Sequence, residues 1–115
     1  MLLTIDAGPG TVYDRIADAI VVRIASGEIA QGERLPAARD LADALGINAH
    51  TVLHAYQRLQ DDGVVELRRG RGAVVTGATA GTELREAISA TAAAAKRQGL
   101  GAAALLALVR KEYGA

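Results

Sequence analysis

The sequence predicts a mainly α-helical chain with a small β wing, a winged helix-turn-helix followed by a C-terminal two-helix dimerisation tail. Three observations carry this prediction. After Pro36, Leu41, Ala44 and Leu45 repeat at helical spacing, Gly46 suits the left-handed residue that closes a helix, and Asn48 can cap the next one with its side-chain oxygen. Helices joined so tightly cross steeply, which leaves the second free to enter a DNA major groove. Directly after that second helix, at 49–61, Val64-Val65-Glu66-Leu67-Arg68 and Ala73-Val74-Val75-Thr76 read as two strands around Arg69-Gly70-Arg71-Gly72. A hairpin in that place is a wing. Beyond Thr76 the composition shifts to Gly77-Ala78-Thr79-Ala80-Gly81 and then to alanine- and leucine-rich helices.

Taken in order, residues 2–6 suggest a short N-terminal strand or extended arm, broken at Pro9-Gly10. Thr11 caps a first helix running to about Ser26, with Val12, Ile16, Ala19, Ile20 and Ile24 as its buried stripe. Gly27 closes it, a turn through Gly32 follows, and Arg34-Leu35 read as a one-rung strand beside the wing. The tail divides at Gly99-Leu100-Gly101 into helices 82–98 and 102–113. The expected organisation is a DNA-binding domain at 1–76, a linker at 77–81 and a dimerisation segment at 82–115.

Composition sets the outer bounds. The chain has 115 residues, half of them apolar, which suffices for one small domain and an appendage. Without cysteine there is no disulfide framework, thiolate metal site or thiol nucleophile. No apolar run has the length of a membrane span or signal peptide, so a cytoplasmic location is expected, with no membrane partner. The formal net charge is zero, although a DNA-binding domain is expected to be basic. Distribution answers this in part, because Arg68, Arg69 and Arg71 gather on the wing and Arg39 opens the second helix. Such a chain should bind random DNA weakly and depend on dimerisation.

On the third helix Val52, Tyr56 and Leu59 share the inward face, so Tyr56 reads as packed core before it reads as a ligand contact. His50, His54, Gln57 and Asp61 point the other way. With Asn48, Ala49 and Thr51 at the helix start, the outward set could reach base edges and phosphates. His50 and His54, four apart, also have the spacing that grips a transition metal, but a third and fourth ligand are not evident. Gly70-Arg71-Gly72 leads into a strand rather than a helix with a Lys-Ser/Thr pair, which argues against a nucleotide phosphate loop. Two plainer readings stand beside these: a solvated hairpin tip for the wing arginines, and ion pairing with Glu33, Asp40 or Asp43 for Arg39.

Several of these residues resemble a known family. Tyr13, the Gly27-Glu28…Gly32-Glu33-Arg34-Leu35-Pro36 turn, Arg39, the Asn48…Thr51-Val52…Ala55-Tyr56…Leu59…Gly63 helix and the Arg69-Gly70-Arg71-Gly72 tip resemble the winged-helix domain of GntR-type bacterial transcription regulators. The short tail with its Gly99-Leu100-Gly101 break is similar to the YtrA-type subfamily, which lacks a large effector domain. The resemblance implies DNA contacts from Arg39, Asn48, Ala49, His50, Thr51, Leu53 and His54, with Arg68, Arg69, Gly70 and Arg71 on the wing. Here the chain departs from the pattern. Positions 49 and 53, often basic in the family, are Ala and Leu, and His54 stands where Lys or Arg is common.

In the tail, Leu84, Ile88, Thr91, Ala92 and Ala95 form one stripe and Leu105, Leu108 and Val109 another. Two such helices cannot bury both stripes alone, so pairing with a second copy is expected, against the alternative that they fold back on their own winged helix. So small a tail, poor in aromatic and polar pocket residues, makes a small-molecule effector site unexpected. No cofactor, metal or catalytic set is expected, and the chain does not read as an enzyme. The expected function is a dimeric regulator, most simply a repressor on an inverted-repeat operator in double-stranded DNA. The alternative is a winged-helix module for protein interaction or assembly, which the neutral charge favours.

Overall fold

The computed structural model describes Leu3 and residues 10–114. The expected arm at 2–6 lies outside these residues except for Leu3, which packs against the core. The chain divides into two compact units, Met1–Ala80 and Gly81–Ala115.

The first unit begins with α1, Val12–Ala25. Thr11 and Asp14 close a capping box: the Asp14 N–H donates to Thr11 Oγ1 at 3.2 Å, and the Thr11 N–H donates back to the Asp14 carboxylate at 3.4 Å. Ile16, Ala17, Ile20 and Ile24 are buried, whereas Val12 is exposed and Ala19 is only half-buried. At about 100° per residue, Ala17 extends the Ile16–Ile20–Ile24 stripe on one side, while Val12 and Ala19 fall on the other. The expected stripe was therefore displaced by a fraction of a turn. The same correction applies to α2, Ala38–Leu45, where Leu41 and Ala42 are buried and Ala44 is exposed.

Gly46 ends α2 in the left-handed region at φ 68°, and the Ile47 N–H returns to the Ala42 carbonyl at 3.0 Å. Asn48 then starts α3, Ala49–Asp61, its Oδ1 accepting from the His50 N–H at 2.8 Å. Val52, Ala55, Tyr56 and Leu59 are all buried, and they bring α3 against α1, α2 and the first strand. Burial of each branched side chain contributes about 1.5–3 kcal/mol, so α3 is the helix around which the unit condenses. The Tyr56 hydroxyl is a part-buried polar attachment, donating to the Pro36 carbonyl at 2.6 Å. Burial pushes that phenol's pKa up.

The wing is the antiparallel pair β1, Val65–Arg68, and β2, Gly72–Val75, each one residue from the expected bounds. Val65 pairs with Val75 and Arg68 with Gly72. Arg34 bridges Val74 in antiparallel sense, the Leu35 N–H donates to the Ala73 carbonyl at 2.8 Å and the Val75 N–H to the Glu33 carbonyl at 2.9 Å. The 33–35 segment thus adds a single third rung, as the sequence suggested. After β2, the Gly77 N–H donates to the Val64 carbonyl at 3.1 Å and the Ala80 N–H to the Ala25 carbonyl at 2.7 Å. The segment expected as a linker at 77–81 is thus hydrogen-bonded to the first unit as far as Ala80.

The second unit contains α4, Thr82–Arg97, and α5, Ala102–Tyr113. Gly99, at φ 73°, makes the break between them, and the Leu100 N–H donates back to the Ala95 carbonyl at 2.8 Å. Of the expected stripes, Ala95 is buried, Ala92 and Leu105 are half-buried, and Leu84, Ile88, Thr91, Leu108 and Val109 are exposed together with Leu106. The Thr91 hydroxyl donates to the Ala87 carbonyl at 2.7 Å, so its polarity is satisfied within the helix.

Candidate nucleic-acid interface

The residues expected to touch DNA fall on three neighbouring elements of the first unit. Arg39 is exposed in the first turn of α2. Asn48, His50, Leu53 and His54 are exposed at the start and along the outer face of α3, while Thr51 is half-buried. Arg68, Arg69, Gly70 and Arg71 are exposed at the end of the hairpin, where the Arg71 N–H donates to the Arg68 carbonyl at 3.0 Å and closes the turn. Gly70 at φ 79° and Gly72 at φ 73° supply the left-handed backbone that this turn requires.

Three members of the expected set are partly engaged already. Asn48 uses its oxygen on the His50 N–H, which leaves its amide N–H groups for a partner. Ala49 is half-buried and packs against the core, so its methyl has limited reach toward a base. His54 stands edge-to-face with Tyr13, ring centroids 5.6 Å apart and planes at 83°. A ring held in this way has fewer orientations to lose on binding. Among the described residues no group of three or more His, Cys, Asp or Glu is placed to hold a metal ion.

Ion pairing distributes the charges of this neutral chain unevenly. Arg58 on α3 donates to Asp14 at 2.9 Å and Asp18 at 2.7 Å on α1, and reaches Asp62 at 3.5 Å. One guanidinium therefore contacts three carboxylates, and the cluster keeps a net negative charge. The hydrogen bond to Asp18 is the main cause that raises the Arg58 pKa, and the Thr11 hydroxyl is the main cause that lowers the Asp14 pKa. Arg23 pairs with Glu28 at 2.8 Å and Arg68 with Glu66 at 3.2 Å. Among the described residues, Arg39, Arg69 and Arg71 have no ion-pair partner. Three of the four arginines at the candidate interface thus stand without an ion pair, and Arg68 is paired with Glu66.

Sequence reasoning missed three contributors. Tyr13 supports His54, Arg58 engages Asp14, Asp18 and Asp62, and Arg34 adds a cation beside the wing. Only Arg34 left a signal: in a strand rung whose Leu35 faces the core, its neighbour must face out.

Comparison with known proteins gives the family. The family model for bacterial regulatory proteins, gntR family, matches residues 12–75. The chain is similar to the HTH-type transcriptional repressor YtrA of Bacillus subtilis (strain 168), 32% identical over 76 residues, covering 65% of this chain and 58% of that one. It is also similar to the uncharacterized HTH-type transcriptional regulator YhcF of the same organism, 34% identical over 64 residues, covering 56% of this chain and 53% of that one. The chain spans little more than half the length of these two relatives. Among solved structures it is similar to YtrA from Sulfolobus acidocaldarius, a GntR-family transcription factor, with a TM-score of 0.60 and 28% identity over 96% of each chain.

Proposed function

This chain belongs to the gntR family of bacterial regulatory proteins, helix-turn-helix transcription regulators with a DNA-binding domain, and from that premise we propose that it is a dimeric, sequence-specific repressor of an inverted-repeat operator. The observation that carries the reading is the coincidence of an exposed α3 outer face with unpaired arginines on α2 and the wing. Residues near the start of α3 read bases, and Arg39, Arg69 and Arg71 grip phosphates or the minor groove and so fix the register. The exposed apolar residues of α4 and α5 support pairing with a second copy, since isolated helices of this length are marginal without packing. Repression is supported by the likeness to a protein described as a repressor, and a bound dimer occludes a promoter without further machinery. The cytoplasm is where such a regulator would meet its operator; no helix among the described residues is long and apolar enough to cross a membrane.

Selection from a random duplex pool tests this. An inverted repeat should emerge, with half-sites separated by about 34 Å or a multiple of it. Replacing both Arg69 and Arg71 with Ala should weaken binding to all sequences and flatten the log-affinity against log-salt slope by roughly two units. The neutral net charge favours a second reading, a protein-interaction module. That reading gains if no sequence is enriched and the salt slope of wild-type binding is near zero.

A further inference from the structure

The outer face of the wing gathers three arginines from two distant parts of the sequence. Antiparallel register places Arg34, Val74 and Glu66 side by side across three strands, and Arg68 two residues along the same face from Glu66. Leu35, Ala73, Val75 and Val65 are buried on the opposite face, which fixes Arg34 outward. Between Arg34 and the end of the hairpin lies an open concavity of about 460 Å³, lined by Gln31, Arg34, Arg68, Arg71 and Thr76. No carboxylate lines it. The neighbouring surface hollows differ: one of about 540 Å³, which shares Arg34 and Arg71 with it, includes Glu33 and Asp40, and one of about 350 Å³ includes Asp14 and Asp61. Gln31 is already engaged, its amide donating to the Thr76 carbonyl at 2.9 Å, so the hollow offers guanidinium donors. Among the described residues neither Arg34 nor Arg71 has an ion-pair partner, and Arg68 has only the 3.2 Å contact to Glu66.

Arg34 and Arg71, without an ion pair among the described residues, and Arg68, balanced in part by Glu66, repel one another around the hollow until an anion enters. The planar guanidinium fork matches the oxygens of a phosphate. We propose that Arg34, with Arg68 and Arg71, forms a clamp for a backbone phosphate of DNA flanking the half-site read by α3. This rests on the DNA-binding reading above and adds Arg34, which lies outside both the helix-turn-helix and the hairpin. Because Arg34 is on the outer face of the sheet, the phosphate it meets lies on the far side of the wing from α3. Its contribution is independent of base sequence and requires duplex beyond the half-site.

The test uses full-length protein and two duplexes, the pool-selected site with ten extra base pairs on each side and the same site trimmed to its core. On the long duplex, Arg34→Ala should weaken binding roughly tenfold and make the salt slope shallower by about one unit, with unchanged base preference. Arg34→Lys should keep the slope. On the trimmed duplex, wild type and Arg34→Ala should bind alike. Equal binding by both proteins on the long duplex overturns the clamp, and an equal loss on both duplexes overturns its flanking position. Thermal unfolding of Arg34→Ala should match wild type, because the side chain is exposed. If the pool yields no preferred site, the regulator reading has failed; Arg34→Ala must still lower the slope on random duplex, or the clamp fails as well. Perturbation of wing amides by inorganic pyrophosphate that Arg34→Ala abolishes, together with unaltered duplex binding, would assign the hollow to a free phosphate and overturn the DNA assignment.

Discussion

Replacing Tyr56 with Phe isolates one hydrogen bond that joins the recognition helix to the turn before α2. The ring is 3% exposed and its hydroxyl donates to the Pro36 carbonyl at 2.6 Å. Phe keeps the ring packing and deletes only the donor. A hydrogen bond of this kind contributes about 1 kcal/mol net, and Pro36 is only half-buried, so water can partly replace the lost donor. For a unit the size of residues 1–80, that loss lowers the melting temperature by about 4–8 °C at pH 7. The phenol gives a second signature. Burial raises its folded-state pKa above the ordinary 10.0, so the stabilisation is complete below pH 10 and declines as pH rises past it, because the unfolded chain releases the proton first. The decline approaches about 1.4 kcal/mol per pH unit, enough to cancel 1 kcal/mol roughly 0.6 pH units above 10.0. Circular dichroism melts of both proteins from pH 7 to 11 measure this. Wild type should be the more stable at pH 7 and should lose its advantage before pH 11. Equal melting at pH 7, or curves that stay parallel from pH 9.5 to 11, would refute the reasoning.

Four further outcomes follow from the same geometry. Ile88→Glu with Leu108→Glu, at positions 58% and 54% exposed, should leave both units folded, yield monomers in sedimentation velocity and cut operator affinity by about two orders of magnitude through lost bivalency. Removal of the tail should be made after Ala80, since a cut after Thr76 also deletes the Ala80–Ala25 hydrogen bond and should melt at lower temperature. Tyr13→Ala should alter base preference in pool selection by releasing His54, whereas Tyr13→Phe keeps the edge-to-face pair and the preference. Asn48→Ala should lower stability by about 1 kcal/mol through loss of its cap to His50, measurable by urea denaturation, and should also change which bases are selected.

Sequence by itself determined the features whose cause lies within a few residues. Thr11 and Asn48 cap because their oxygens reach N–H groups two or three positions on, Gly46 terminates because a left-handed residue costs it little, and the hairpin closes at Arg69–Arg71 because glycines flank that turn. The exposed outer face of α3 was legible for a similar reason, since helical period and a few large apolar residues define its opposite side. Tertiary structure decided the rest. Periodicity gives a stripe but not its centre, so Ala17 and Ala42, rather than Ala19 and Ala44, were chosen by the surfaces that α1 and α2 meet. Arg58 joins Asp14 from 44 positions away, and Tyr56 reaches Pro36 from 20. Pairings of that kind leave no spacing rule in the chain, because the distance they span is closed by the packing of other residues. For the same reason the sequence could place cations on the wing, but only the folded unit leaves Arg39, Arg69 and Arg71 unpaired while Arg58 joins Asp14, Asp18 and Asp62.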